Sequence, residues 1–531
     1  MRYRNLLALL IVALTLLGLV VAIPADARLP ATVLTTAPEP LPDLAWSTPL
    51  PVGPSNPHWI LWPKIVAERD ASLSIVDQWG YLDTVYYQHS IAASGYLSWT
   101  AQAAGGYPQY PDSAGNIQAV ATDDGKLHML WYTAYGWPYY SLNYRQRAVG
   151  GQLLPIVEVP GSQSERMKID ALAAQNNTAY ILAGHSGTSL YLYALTNGEW
   201  SWQVQLPLTS TSQPNPSWLP ALAIVQGAPH VLWGDYRLGR YVLADAYPAS
   251  GARDNIWVTH FFTETNSQGQ PMNNDQQYRV AALGLREGGM AAAFECRVSD
   301  AGKDMCYREW NPGKYGTTMG GWMTTTIQFN SPAPDNVAPA LCQDSYGQRY
   351  LFWMYDWSSA QNPRAEDEVA AQMTADARNT AVAREQTRVA GQGGPVATRF
   401  AEEAATQAAA VPTANATATV IAGQGRRRGL MVVYSYSSDG QHWTAPQYVW
   451  GGDHFREKHP TCAVAPAPQQ YQPPAGSGQP VVEWLHTAWS DHITSTLGDD
   501  GRGPLMQLYY QHRPRPPLYP QRMATATPLM P

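Results

Sequence analysis

A histidine three residues ahead of a tryptophan recurs along this chain inside short apolar stretches. His128 and Trp131 stand in "LHMLW", His230 and Trp233 in "PHVLW", and His486 and Trp489 in "LHTAW". Tyr350 takes the histidine's place ahead of Trp353 in "RYLFW". A residue that returns at one place in a repeat belongs first to the repeat's packing, and only then to any unique chemistry. In an alternating strand, positions three apart point to opposite faces, so these strands are covered on both sides. Self-similarity of this kind restricts the chain to a repeat architecture.

Followed outward, the repeat becomes a unit of four strands. The first is small and apolar, as in "IQAVATDDG" and "LPALAIVQG", and the second carries His-x-x-Trp. The third is rich in tyrosine, and seven such segments occur, from "TVYYQH" to "LMQLYYQH". The fourth usually carries Trp followed by Thr, Val or Pro, as in "YLSWTAQ" and "QHWTAPQYV"; "GGQLLPIVEV" fills one such slot without Trp. After the last third strand there is no fourth, whereas "LAWSTPLPVG" at 44–53 reads as a fourth strand with nothing before it. The economical account is all-β: a β-propeller of seven four-stranded blades, closed by that N-terminal strand so that no edge is left open between the first and last blades. Six or eight blades also fit, because "TAYILAGHSG" and "GGMAAAFECR" match the second-strand pattern poorly. The 20 Trp and 31 Tyr against 7 Phe suit half-buried or ligand-facing rings. The 43 Pro and 43 Gly supply turns, and a net charge of −7 argues against nucleic acid as a partner.

The ends and one interruption are different in kind. Residues 1–27 combine Arg2 and Arg4, an apolar run over 6–23 and an Ala-Asp-Ala motif, and read either as a cleaved signal peptide or as a membrane anchor. Either way the remainder is expected outside the cytoplasm, secreted or tethered, with the membrane touched only through this segment. Residues 28–43 form a linker, 44–513 the propeller and 514–531 a Pro-rich tail. Residues 364–428, rich in Ala, Thr, Glu and Arg, interrupt one blade as a disordered or partly helical insert. Cys296 and Cys306 flank a polar hairpin turn, while Cys342 and Cys462 each follow a proline that opens a strand. Export permits both pairs to be disulfides, and buried free thiols are the alternative. No spacing resembles a metal site, and nothing calls for a cofactor.

In "YSYSSDGQHWTAP", Ser437, Asp439, Gly440 and Trp443 resemble the Asp-box of sialidase-like β-propellers. The resemblance implies a turn between third and fourth strands shaped by Asp and Gly, with the Trp packed into the blade, on the side opposite an active site. Sialidase chemistry would require three arginines on a substrate carboxylate, a Tyr–Glu nucleophile pair and an Asp acid/base. The Arg-Ile-Pro motif usual on the family's earliest blade is absent; "WPKIVAERD" stands there.

In a propeller, loops joining second to third strands and segments leading into first strands share one side. There the sequence places Trp79, Tyr135, Trp137, Tyr236, Arg237, Trp357, Trp489 and Asp491, a mixture suited to stacking on and hydrogen bonding to sugars. The candidates for catalysis are Arg166, Arg279 and Arg456 as a clamp, with Asp235 or Glu457 for proton work. The expected function is a monomeric, exported propeller that binds glycans or other extracellular ligands without catalysis. An exo-acting sialidase-type glycoside hydrolase and a protein-binding surface scaffold are the alternatives.

Overall fold

Strand β1 (Leu50–Asn56) lies antiparallel against β28 (Met506–Pro514), with Leu50 opposite Tyr510 and Val52 opposite Leu508. The first strand among the described residues therefore completes the last sheet, as the orphan strand in the sequence suggested. The computed structural model describes residues 46–56, 60–79, 84–106, 115–134, 140–160, 167–185, 189–196, 199–206, 220–237, 240–249, 256–262, 279–299, 302–316, 321–323, 326–329, 335–356, 430–444, 446–451, 459–468, 483–492 and 506–516. The leader, the linker, the insert and residues 517–531 of the C-terminal tail lie outside these residues. Among the described residues no helix is long and apolar enough to cross a membrane.

Seven blades follow in order. Blade one holds β2 (Ile60–Ala67), β3 (Leu73–Trp79), β4 (Thr84–Ser90) and β5 (Thr100–Gly106). Blade two holds β6 (Gly115–Ala121), β7 (Leu127–Ala134), β8 (Tyr140–Arg147) and the two-residue β9 (Val157–Glu158). Blade three is β10 (Met167–Gln175) to β13 (Glu199–Leu206), with β11 (Thr178–His185) and β12 (Ser189–Thr196) between them. Blade four is β14 (Ala221–Val225), β15 (Ala228–Arg237), β16 (Arg240–Pro248) and β17 (Trp257–Phe262). Blade five is β18 (Val280–Leu285), β19 (Gly289–Ser299), β20 (Gly302–Trp310) and β21 (Ile327–Phe329). Blade six is β22 (Asp335–Gln343), β23 (Arg349–Asp356), β24 (Leu430–Ser437) and β25 (Gln447–Gly451). Blade seven is β26 (Thr461–Pro466), β27 (Glu483–His492) and β28, closed by β1. The two stretches that matched the repeat poorly are second strands like the others, β11 and β19.

The His-x-x-Trp device has a constant geometry. Trp131 packs with Val66, Val76 and Tyr87 of blade one, Trp233 with Leu182 and Leu192 of blade three, Trp353 with Tyr307 and Phe329 of blade five, and Trp489 with Phe352 and Tyr434 of blade six. Each tryptophan thus fills the seam with the preceding blade. The histidine faces the following blade and bonds diagonally to the third strand: His128 Nδ1 to Tyr144 Oη at 2.6 Å, and His486 Nδ1 to Tyr510 Oη at 2.7 Å. Asp245 occupies the tyrosine's slot in blade four, 3.3 Å from His230 Nδ1. His128 is structural, its pKa pushed by burial down to about 4.

Both cysteine pairs are disulfides. Cys296–Cys306 joins two strands within blade five, and Cys342–Cys462 joins the innermost strands of blades six and seven.

The turn that resembles an Asp-box closes on itself. Asp439 Oδ1 accepts from the backbone N–H groups of Gln441 and His442, each at 2.8 Å, and Gly440 N donates to Ser437 Oγ at 2.9 Å. Burial raises the pKa of the Asp439 carboxyl, but the donors of His442, Gln441 and Ser437 outweigh it and hold the group at about 2. Trp443 stacks edge-on against Tyr307 and Phe329, so its ring fills the seam with blade five rather than its own blade.

Candidate functional site at the channel mouth

The free edges of the seven innermost strands enclose an axial cavity of about 590 Å³. Its wall is mostly Ala, Val, Leu and Ile, small enough to leave the channel open. Among the described residues the ionisable groups on the wall are Lys64, Arg279, Arg286 and His459, and no carboxylate lines it. In a chain of net charge −7, this axis has the opposite sign to the whole.

Three blades meet at one side of the mouth. Arg279 stands just before β18, Glu295 lies on β19, Ala338 on β22, and His459 just before β26. Glu295 is buried at 3% exposure, with Arg279 Nε 3.8 Å from its carboxylate and Ala338 N donating to Oε1 at 3.2 Å. Arg279 Nη1 lies 3.5 Å from His459 Nδ1. The Arg279 side chain keeps 28% of its surface exposed. Ala338 and His459 sit at φ 56° and 31°, left-handed backbone that non-glycine residues adopt at a cost. The β22 register also shifts between Val337 and Ala340. This bulge aims the Ala338 N–H at Glu295. The result is a partly exposed guanidinium braced by a buried carboxylate and flanked by an imidazole. Such a group accepts a carboxylate or sulfate through forked hydrogen bonds.

Of the residues singled out in the sequence, Arg279 is placed at this mouth. Arg166, Arg456, Glu457, Tyr135, Trp137 and Trp357 lie outside the described residues. The backbones of Trp79, Asp235, Tyr236 and Arg237 end β3 and β15 on the mouth side, and their side chains lie outside the description. The reading of Trp489 and Asp491 as ligand-facing loop residues is corrected: both belong to β27, at 0% and 3% exposure. That strand continues to His492, so Trp489 is sealed in the seam with blade six and Asp491 beside β28. Glu295 was missed. Its signal was present, a single acid in the otherwise apolar run "GGMAAAFEC", where burial without a partner would be prohibitive.

A Tyr–Glu pair does occur, on the other side of the ring. Glu309, 1% exposed, accepts from Tyr307 Oη at 2.6 Å, Tyr315 Oη at 2.7 Å, Arg349 Nε at 2.8 Å and Lys314 Nζ at 3.0 Å. Burial first, then the charge of Glu309, raises the Tyr307 pKa well above its ordinary value, so this phenol is a donor within blade five, and Arg349 of β23 ties the carboxylate to blade six. No tyrosine lines the cavity among the described residues. Nor do those residues contain a cluster of three or more potential metal ligands.

No family model matches the chain, and no curated protein matches it. Solved structures do. The chain is similar to a mutant of the NanB sialidase of Streptococcus pneumoniae, with 8% identity over 60% of this chain and 68% of that one, at a TM-score of 0.40. It is similar to a PL25 ulvan lyase, with 9% identity over 88% of this chain and 95% of that one, at a TM-score of 0.41. The alpha-L-arabinofuranosidase Arb93A of Fusarium graminearum gives 11% identity over 59% and 93%, at a TM-score of 0.38.

Proposed function

We propose that this propeller binds acidic carbohydrates at its channel mouth, as an exported protein and without turning them over. One observation carries the reading: the mouth presents Arg279 beside His459 on a wall that, among the described residues, holds basic groups and no carboxylate. A uronate or sulfate would take the guanidinium fork, while the free strand edges offer N–H and C=O partners to hydroxyls. Glu295 acts through Arg279, fixing its orientation before the ligand arrives.

The second reading is a sialidase-type glycoside hydrolase, favoured by a buried carboxylate next to an arginine and a histidine. One experiment separates the two. The purified full chain is titrated with uronate-bearing, sialylated and sulfated oligosaccharides by calorimetry, and the same mixtures are followed by mass spectrometry. Binding with unchanged oligosaccharide supports recognition alone, and released sugar supports hydrolysis. Arg279→Ala should weaken binding by roughly ten-fold or more, the value of a charge-assisted hydrogen bond. Equal affinity for neutral and acidic oligosaccharides would remove the basis of the proposal.

A further inference from the structure

The side of the ring opposite the mouth carries the turns between first and second and between third and fourth strands. Among the described residues, five large apolar side chains stand exposed in those turns: Ile91 at 49%, Leu97 at 64%, Val149 at 66%, Ile256 at 67% and Tyr346 at 52%. Four of them fall in one continuous sector. Tyr346 of blade six lies under Arg515, which follows β28 of blade seven, 4.2 Å from its ring centroid. In blade one, Tyr96 donates from its hydroxyl to Pro466 O of blade seven at 2.8 Å, and its chain neighbour Leu97 projects outward. Val149 follows in blade two, 3.6 Å from where a β-carbon on Gly125 would stand.

The chain reaches the ring at the centre of that same sector. Ser47 N donates to His512 O at 2.8 Å near the turn end of β28, and β1 runs from there toward the mouth. Upstream, residues 24–45 separate the apolar run at 6–23 from Trp46, and those 22 residues span at most about 75 Å. With the run at 6–23 read as a retained membrane anchor, a ring on so short a tether meets a bilayer at high effective concentration, so a few inserting side chains suffice to orient it.

We propose that the turn-side sector of blades six, seven, one and two is a bilayer-contacting surface, with Leu97, Ile91, Val149 and Tyr346 entering the lipid interface. A ring seated this way points its channel mouth away from the membrane, toward soluble ligand. The surface is independent of what the mouth binds.

The four cysteines are all in disulfides, so one added thiol can be labelled alone. The full chain is reconstituted into phosphatidylcholine–phosphatidylglycerol vesicles with a nitroxide on Leu97→Cys or, at the mouth end of β4, on Thr84→Cys. Accessibility to oxygen and to a water-soluble nickel complex is read by electron paramagnetic resonance. Residue 97 should gain oxygen and lose nickel accessibility severalfold on reconstitution, while residue 84 stays aqueous. Ile91→Glu in the Leu97→Cys background should return the label to water. Overturning results are aqueous values at both labels, lipid exposure at residue 84 instead, or no association with vesicles. A partner protein covering the sector would appear as the first of these.

Discussion

Gly440 rests on the carboxylate of Glu309, so close that a β-carbon at 440 would overlap both carboxylate oxygens. This contact joins two blades: Glu309 belongs to β20 of blade five and Gly440 to the turn after β24 of blade six. Gly440 also has φ 74°, which a β-carbon penalises. Gly440→Ala should therefore cost about 3 kcal/mol or more, from left-handed backbone plus disturbance of a saturated buried carboxylate. Urea unfolding measures it, and a loss below about 0.5 kcal/mol would show that the seam tolerates the methyl group.

Trp131 is 1% exposed, and its ring occupies the space a side chain on Gly105 would need. Trp131→Ala should destabilise by roughly 3–5 kcal/mol. Gly105→Ala, one methyl group added at the same contact, should also destabilise, through overpacking. An unchanged melting temperature in the tryptophan variant would contradict its role in the seam.

Asp356 and Leu430 are direct partners across β23 and β24. The strand ends on either side of the insert are therefore already paired. Removing residues 365–427 and bridging with a short Gly/Ser segment should leave circular dichroism and melting near the parent's values, because loop-closure entropy falls as the loop shortens. Aggregation of that variant would show that the insert supports the core.

Acid should weaken the ring through its buried histidines. Above pH 6.5 His128 is neutral in both folded and unfolded chains and contributes nothing to pH dependence. Between 6.5 and about 4 the unfolded chain binds a proton that the folded one excludes, so stability drops as pH falls. The slope is about 1.4 kcal/mol per pH unit, roughly 3 kcal/mol over that window. Burial depresses the His486 pKa as well, with the same sign. Denaturation at pH 5 and 7.5 should show His128→Gln with a shallower dependence than the parent; parallel curves would refute the assignment.

The two disulfides should differ in weight. Cys342 and Cys462 are 120 residues apart and Cys296 and Cys306 only 10. Chain-entropy arguments assign roughly 5 kcal/mol to the first and roughly 3 kcal/mol to the second. Replacing each pair with serine and comparing denaturant midpoints tests the order, and a larger loss from the short pair would reverse it.

Much of this architecture was legible in one dimension. The spacing of His128 and Trp131, the equivalents at 230/233 and 486/489, and the orphan strand near Trp46 made a closed ring the economical account, because a repeated two-faced strand needs neighbours on both sides and the orphan strand supplies the missing edge. Hairpin spacing set Cys296 opposite Cys306 but left disulfide and free thiols open, and the structure shows the bond. Where strands stop was not legible: Trp489 and Asp491 looked like loop residues until the pairing of β27 with β28 carried them inside. The mouth was the least legible part. Arg279 and Glu295 meet within the first hairpin of blade five, but only the assembled ring brings Ala338 of blade six and His459 of blade seven against them. Local periodicity is written along the chain, since each residue's face follows from its position in a strand. Convergence at an axis depends on how many blades close and where each bulges, and that is settled by long-range packing between strands hundreds of residues apart.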